Sequence, residues 1–324
     1  MMRRLVLLAL VCASPVLVAD TWAQQSAKVP VIGLLMTHAL ANDPIVQGLR
    51  AGLREFGYDE GRNIRLEVRT AAGQINRLQY LAGELAHLNS DVIVIANTAG
   101  LRAAQQATRT IPIVMAGFTS DPVATGLVES IRRPGGNVTG LYSLPSELDG
   151  KRLAILKEAL PGVSRVAVLW DAFSRSQLGE VQRAAQSLGV GLQLIEVHGP
   201  EDLEPAFKAG KRKKAGAVML LWSPVFYAHA TEIAALGIDV KLPIVSALNT
   251  AVRAGTFISY GADVVDNFRR STYFVDRLLK GAKASELPIE QPTTFKLVVN
   301  LKTAKALGNM VPQSVLLQAD EVIR

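Results

Sequence analysis

Two successive α/β lobes, each built on a Rossmann-like, doubly wound parallel sheet, and a multi-strand hinge joining them are what the sequence predicts. Three observations carry this. Apolar runs of strand length alternate with helix-like segments along the chain. Runs as uniformly apolar as VIVIA (92–96) suit parallel strands covered on both faces. The whole pattern then recurs after a central Pro-Gly-Gly break, in RRPGGN (132–137).

In chain order, KVPVIGLLM (28–36) reads as a strand. IVQGLRAGLREF (45–56) follows as a helix, with Ile45, Leu49, Leu53 and Phe56 at helical spacing. NIRLEVR (63–69) is the next strand, and Leu78, Leu81, Leu85 and Leu88 mark the next helix. DVIVIAN (91–97) is a strand, TAGLRAAQQAT (98–108) a helix and IPIVMAG (111–117) a strand. DPVATGLVESI (121–131) reads as a helix ending at the RRPGGN break, which is expected to carry the chain from one lobe to the other. In the second half RVAVLWD (165–171), LQLIEVHG (192–199), AGAVMLLWS (215–223) and LPIVSAL (242–248) are strands, with QLGEVQRAAQSLG (177–189) as a helix. TFISYGADV (256–264) reads as another crossing, followed by an amphipathic helix to Gly281 and a last strand, TTFKLVVN (293–300). The expected division is 28–141 with about 262–290 in lobe 1, and 142–261 with about 291–324 in lobe 2.

The start, MMRRLVLLALVCASPVLVADTWAQQ, has the layout of a cleavable signal peptide over residues 1–23, cut after Ala23. The apolar run is short for a bilayer span and Pro15 interrupts it. Val11 precedes Cys12 where a lipoprotein signal needs a small residue, so a periplasmic, unlipidated protein is expected. Cleavage removes Cys12, the only cysteine, which excludes disulfides, thiol nucleophiles and cysteine-based metal sites. It also removes Arg3, Arg4 and Asp20, taking the net charge from +7 to +6. The basic run KAGKRKK (208–214) lacks interleaved aromatics and reads as a solvated helix end, not a nucleic-acid surface.

Catalytic signatures are missing. There is no G-x-G-x-x-G, no phosphate loop and no G-x-S-x-G elbow, and the four histidines (His38, His87, His198, His229) share no metal-like spacing. No enzyme activity, cofactor or metal is therefore expected. His87 and His229 fall in helical runs and read as ordinary histidines. What the chain does have is polar and aromatic residues at strand carboxyl ends, the edge where open α/β sheets bind ligands. In the first lobe these are Thr37, His38, Asn97, Thr98, Ser120 and Asp121. In the second they are Asp171, Ser174, Trp222, Ser223 and Asn249, with Tyr260 beside the late crossing. Such residues are also the ordinary caps of following helices, so their recurrence in both lobes is the more informative fact. Thr98 as an N-cap would leave backbone N–H groups for a ligand carboxylate. Asp121 and Asp171 are candidates for an ammonium group, and their removal is expected to weaken binding while sparing the fold. Phe118, Tyr142, Trp170, Trp222 and Tyr260 lie at or beside strand ends and suggest aromatic walls, although some must face helices because side chains alternate along a strand.

The run SDPVATGLVESIRRPGGNVTG (120–140), together with LREFGYDEGRNIRLEVR, TFISYGAD and LKTAKALG, resembles a family of ABC-transporter substrate-binding proteins that includes tryptophan and other aromatic amino-acid binders. The similarity runs from about Val29 to Ile323. It implies a type I periplasmic binding-protein fold that traps a small-molecule ligand by lobe closure. It also implies delivery to an inner-membrane ABC permease with a separate ATPase. Monomer is the default state for a shuttle of this kind, and no nucleic acid is expected as a partner. Carried over, the family's pocket edges fall at Thr37-His38, Asn97-Thr98, Ser120-Asp121, Asp171 and Tyr260. Two departures touch that pocket: WDAFSRSQ (170–177) stands where relatives usually have an Asn-Pro-rich turn, and His38 replaces a commoner small residue. The expected ligand is an amino acid or an aromatic or amphipathic carboxylate. A ligand-sensing subunit of a signalling receptor is the alternative.

Overall fold

The computed structural model describes residues 28–38, 43–118, 121–143, 148–292 and 294–324. The signal-peptide reading for 1–23 and the candidate Ser120 lie outside these residues. Of the Phe118 side chain nothing is described.

The first sheet holds five parallel strands in the order β2-β1-β3-β4-β5: β1 (Val31–Met36), β2 (Arg65–Thr70), β3 (Val92–Asn97), β4 (Ile113–Phe118) and β5 (Val138–Gly140). Helices α1 (Pro44–Glu55), α2 (Leu78–His87) and α3 (Thr98–Ala107) connect them. The apolar run of β3 is apolar throughout because both its faces are covered. Val92 and Val94 join one core with Leu49 and Leu53 of α1, while Ile93 and Ile95 join another with Leu81 and Leu85 of α2. Each such fully buried side chain contributes about 1.5–3 kcal/mol. Phe56, expected on the buried stripe of α1, caps its end instead and is exposed.

The second sheet has seven strands, β12-β11-β10-β9-β8-β6-β7, parallel except where β10 meets β11. They are β6 (Arg165–Trp170), β7 (Gly191–Glu196), β8 (Ala217–Leu220), β9 (Ile244–Ser246), β10 (Ile258–Ala262), β11 (Phe295–Asn300) and β12 (Glu321–Ile323). Its helices are α4 (Asp149–Ala159), α5 (Leu178–Leu188), α6 (Leu203–Arg212), α7 (Pro224–Ala228), α8 (Ala230–Asp239) and α9 (Asn249–Ala254). After α10 (Val264–Leu279) the chain adds α11 (Leu301–Ala306) and α12 (Gln313–Gln318). Strand β6 repeats the logic of β3: Val166 and Val168 face one core, Ala167 and Leu169 the other.

Two sequence expectations are corrected. Residues 121–131 form turns, not a helix. Asp121 starts them as a cap would, accepting the N–H groups of Val123 and Ala124 through Oδ1, but Gly126 adopts φ 68° and Leu127 and Val128 both turn back onto the Pro122 carbonyl. RRPGGN is not the crossing either. The chain passes through it into β5, which pairs with β4, and Ile131 accepts the Ile289 N–H within the same lobe. The chain leaves the first sheet only after Gly140.

The chain makes three passages between the two lobes, after β5, after β10 and ahead of β11. The first and third are tied together, since the Glu290 N–H donates to the Gly140 carbonyl and the Tyr142 N–H to the Glu290 carbonyl. After β10, helix α10 packs on α1 and β4, burying Phe268, Phe274 and Val275 in the core that α1 shares with β1 and β3. That core continues across the divide to Ala230, Leu248 and Ala251 beside the second sheet.

Candidate ligand-binding cleft

Nine of the twelve expected residues fall into three local groups. At the end of β1, Thr37 is buried and its Oγ1 accepts from Asn97 Nδ2 at 2.7 Å. Asn97 Oδ1 accepts the Gly100 N–H at 3.0 Å, so Asn97 is the N-cap of α3 and Thr98 is its first residue, not the cap the sequence suggested. At the ends of β6 and β8, Asp171 is 4% exposed. Its Oδ1 accepts from Phe173 N and Ser174 N, each at 3.0 Å, and from Ser174 Oγ at 2.8 Å. Its Oδ2 accepts from the Ser223 hydroxyl, whose oxygen accepts the Val225 N–H and caps α7. Gln177 brackets the Trp222 backbone from both sides, donating to its carbonyl and accepting its N–H. In the third group Asn249 Oδ1 accepts from Ser259 Oγ at 2.8 Å, while Arg152 Nε donates to the Tyr260 carbonyl at 2.6 Å.

This geometry revises the expected role of Asp171. Both its oxygens are spent on organising a buried loop, so its removal would disturb the fold as well as any binding. Asp121 is engaged in the turn already described. The aromatic residues divide as strand alternation requires. Tyr142 lies in the core beside Ile289, and Trp170 lies in the core of the second sheet with the Arg175 guanidinium 4.7 Å from its ring. Tyr260 faces Phe295 at 6.4 Å between ring centres.

A cleft of about 700 Å³ opens between the carboxyl-end loops of the two sheets. His38, Asp43 and Gln74 line it from the first lobe, and His198, Tyr227 and His229 from the second, with Thr250 beside them. Of the residues expected from sequence, His38 is on its walls. Tyr227 carries the contact across it: its hydroxyl donates to Asp43 Oδ1 at 2.8 Å, and the same oxygen accepts the Ile45 N–H at 2.9 Å, capping α1. Burial, and then the adjacent Asp43 carboxylate, push the Tyr227 hydroxyl well above the ordinary tyrosine range, so it remains a donor at any physiological pH. A hydrogen bond to a charged partner is worth about 1.5–3 kcal/mol. Tyr227→Phe is therefore expected to weaken ligand affinity roughly tenfold or more while leaving the denaturation midpoint within error, since it removes a contact made only when the lobes meet. Equilibrium titration beside a urea melt checks both, and an unchanged affinity would show that this contact does not hold the cleft shut.

His38 is packed tightly. A Cβ on Gly73 would stand 2.6 Å from its Nε2, so glycine there makes room for the ring. Among the described residues its Nδ1 is buried without a hydrogen-bond partner, as is the Thr250 hydroxyl on the opposite wall. Burial, then the nearby His229, lower the His38 pKa from its ordinary value. His229 Nδ1 lies 3.0 Å from Glu232 Oε2, and His198 Nδ1 lies 3.2 Å from Asp202 Oδ2. Sequence reasoning passed over Asp43, His198, Tyr227 and His229. Asp43 and Tyr227 stand 184 positions apart, and no local pattern links them. Among the described residues no group of three or more His, Cys, Asp or Glu is placed to hold a metal ion, and no helix is long and apolar enough to cross a membrane.

Comparison with known proteins places this architecture. The model of the family described as ABC transporter substrate binding protein matches residues 28–323. A tyrosine-binding protein of Clostridioides difficile (strain R20291) is 24% identical over 271 residues, covering 82% of this chain and 76% of that protein. Among solved structures, a conserved domain protein from Vibrio cholerae superposes with a TM-score of 0.83 at 27% identity, over 91% of this chain and 100% of its own. An ABC domain from Streptococcus pneumonia, in complex with L-Trp, gives 0.82 at 25% identity, over 91% and 99%. With two Rossmann-like lobes, a hinge of three segments and a family match across essentially every described residue, the chain belongs to the ABC transporter substrate-binding proteins.

Proposed function

We propose that this chain is the extracytoplasmic solute-binding component of an ABC-type uptake transporter. It is exported by its cleavable leader, works in the periplasm as a monomer, and carries out no chemistry of its own. The lobes are taken as 28–141 with about 262–290, and 142–261 with about 291–324. A small solute, an amino acid or an aromatic or amphipathic carboxylate, is held between them and passed to a membrane permease served by a separate ATPase.

The observation that carries this reading is the cleft itself, walled by carboxyl-end loops of both sheets and spanned by the Tyr227–Asp43 hydrogen bond. A solute that touches both walls favours the closed state by its differential affinity for the two states. The tyrosine-binding relative and the L-Trp complex support an amino-acid ligand. Thr37, His38, Asn97, Thr98, Ser120 and Asp121 are proposed to frame the ligand from the first lobe. Asp171, Ser174, Trp222, Ser223, Asn249 and Tyr260 frame it from the second, with Asp171 and Ser223 acting by holding their loops in shape.

The test is thermal unfolding of protein stripped of bound solute by unfolding and refolding, against tyrosine, tryptophan, phenylalanine, leucine, benzoate and glucose. A solute at about 100 times its dissociation constant adds roughly 2.7 kcal/mol, a rise of several degrees. The expected result is a shift with an aromatic amino acid and none with glucose. No shift with any amino acid or aromatic carboxylate, and no such compound released from the protein as first purified, would overturn the assignment.

A further inference from the structure

Three of the four histidines line one cleft, and they approach it from both lobes: His38 from the first, His198 and His229 from the second. We propose that protonation of His38 opposes closure of the cleft, so that solute is held at neutral pH and released on acidification. The proposal rests on the cleft being the solute site but concerns the lobes themselves.

A neutral imidazole carries one N–H and an imidazolium two, each needing an acceptor. In the closed arrangement Nδ1 of His38 is buried and, among the described residues, has no partner, while a Cβ on Gly73 would run into Nε2; a second proton, placed on Nδ1, therefore meets no acceptor among them. Once the lobes part, water supplies one. On the first lobe Asp43 faces the cleft, its Oδ1 already accepting from Tyr227 and Ile45, while Ala72, Gly73 and Gln74 bring no charge. On the second lobe stand Tyr227, His229 held by Glu232, His198 held by Asp202, and the uncharged Thr250. Among the described lining residues there is neither lysine nor arginine. The group that meets His38 most directly from across the cleft is therefore another imidazole, and two imidazolium ions facing one another repel.

The sign follows from linkage. Burial and His229 lower the His38 pKa in the closed form, whereas the open form restores a value nearer the ordinary 6.5. Closure is thus fully favoured above about pH 6.5 and is lost as pH falls below it toward the lowered closed-state value. Within that window the closed-to-open ratio falls by up to about tenfold per pH unit for one proton.

The experiment needs no solute. Spin labels on Asn76→Cys and Glu201→Cys, exposed positions beside opposite walls, report the lobe separation by pulsed dipolar spectroscopy. Between pH 7.5 and 5.5 the short-distance fraction should shrink in the otherwise native protein. It should stay level in His38→Gln and respond more weakly in His229→Gln. A short-distance fraction that is the same at both pH values, zero included, overturns the proposal, as does an undiminished response in His38→Gln. Because the readout is solute-free, failure to find an amino-acid ligand leaves this test intact. Tight amino-acid binding with a pH-independent separation would sink the switch and keep the transport reading.

Discussion

Arg152→Ala is expected to destabilise the second lobe by about 3–5 kcal/mol, the range for breaking a buried ion pair by removing one partner. Arg152 and Asp149 are both 0% exposed in the first turns of α4, and the guanidinium hydrogen-bonds Asp149 Oδ1 through Nη1. Its Nε also donates to the Tyr260 carbonyl in β10. The pair therefore ties the helix that begins after the first interlobe segment to the strand that ends at the second. Truncation would leave the Asp149 carboxylate buried without its cation. Burial already pushes that carboxyl up to about 6 from 3.8, with Arg152 holding it from rising further. Because the folded carboxyl takes up its proton at higher pH than the unfolded one, this group's contribution to stability is full below about pH 3.8. It is lost as pH rises to about 6, then level, a slope that Asp149→Asn should abolish. Urea denaturation across that range checks both points. Asp149→Leu combined with Arg152→Met should recover most of the loss, since an apolar pair of similar volume often matches a buried ion pair. A loss under about 1 kcal/mol for Arg152→Ala would mean the guanidinium does not anchor α4.

The sheets were legible because their strands are covered on both faces, and such coverage writes an unbroken apolar run into β3 and β6 that no exposed segment would carry. The three-residue β5 was not. Val138-Thr139-Gly140 offers little apolar signal, and the Pro-Gly-Gly before it announces a turn without saying where the chain goes next. The false helix at 121–131 failed for a related reason: Asp121 and Pro122 are good helix starters, and only the left-handed Gly126 shows that the ladder stops. In the site, side-chain type marks the loops at the carboxyl ends of the strands, but it does not separate residues that hold a loop from residues that meet a ligand. Asp171 reads the same either way until its oxygens are seen to be occupied. The Tyr227–Asp43 and His38–His229 pairs exist only because two lobes meet, and nothing in either segment encodes its partner.

The close seating of α10 on α1 depends on two glycines four residues apart, and Gly48→Ala with Gly52→Ala together are expected to cost about 3 kcal/mol. A Cβ at Gly52 would stand 2.3 Å from the Arg269 carbonyl oxygen and 2.6 Å from Thr272 Oγ1, and one at Gly48 2.5 Å from the Val265 carbonyl oxygen. Two of these three atoms are backbone, so the helices themselves would have to part. Exchanging glycine for alanine inside a helix ordinarily gains about 1 kcal/mol, so overpacking must exceed that gain for the sign to come out as stated. Gly83 in α2 is the internal control. Nothing lies within 4 Å of its added Cβ, and Gly83→Ala should stabilise. The consequence reaches beyond the first lobe, because Asp263 caps α10 and accepts from Lys296 in β11, joining the second passage between the lobes to the strand that follows the third. Parting α1 from α10 would shift that cap, so ligand affinity should fall along with stability. If Gly52→Ala instead stabilised the protein as Gly83→Ala does, the two helices would have room to spare, and the hinge would owe nothing to their contact.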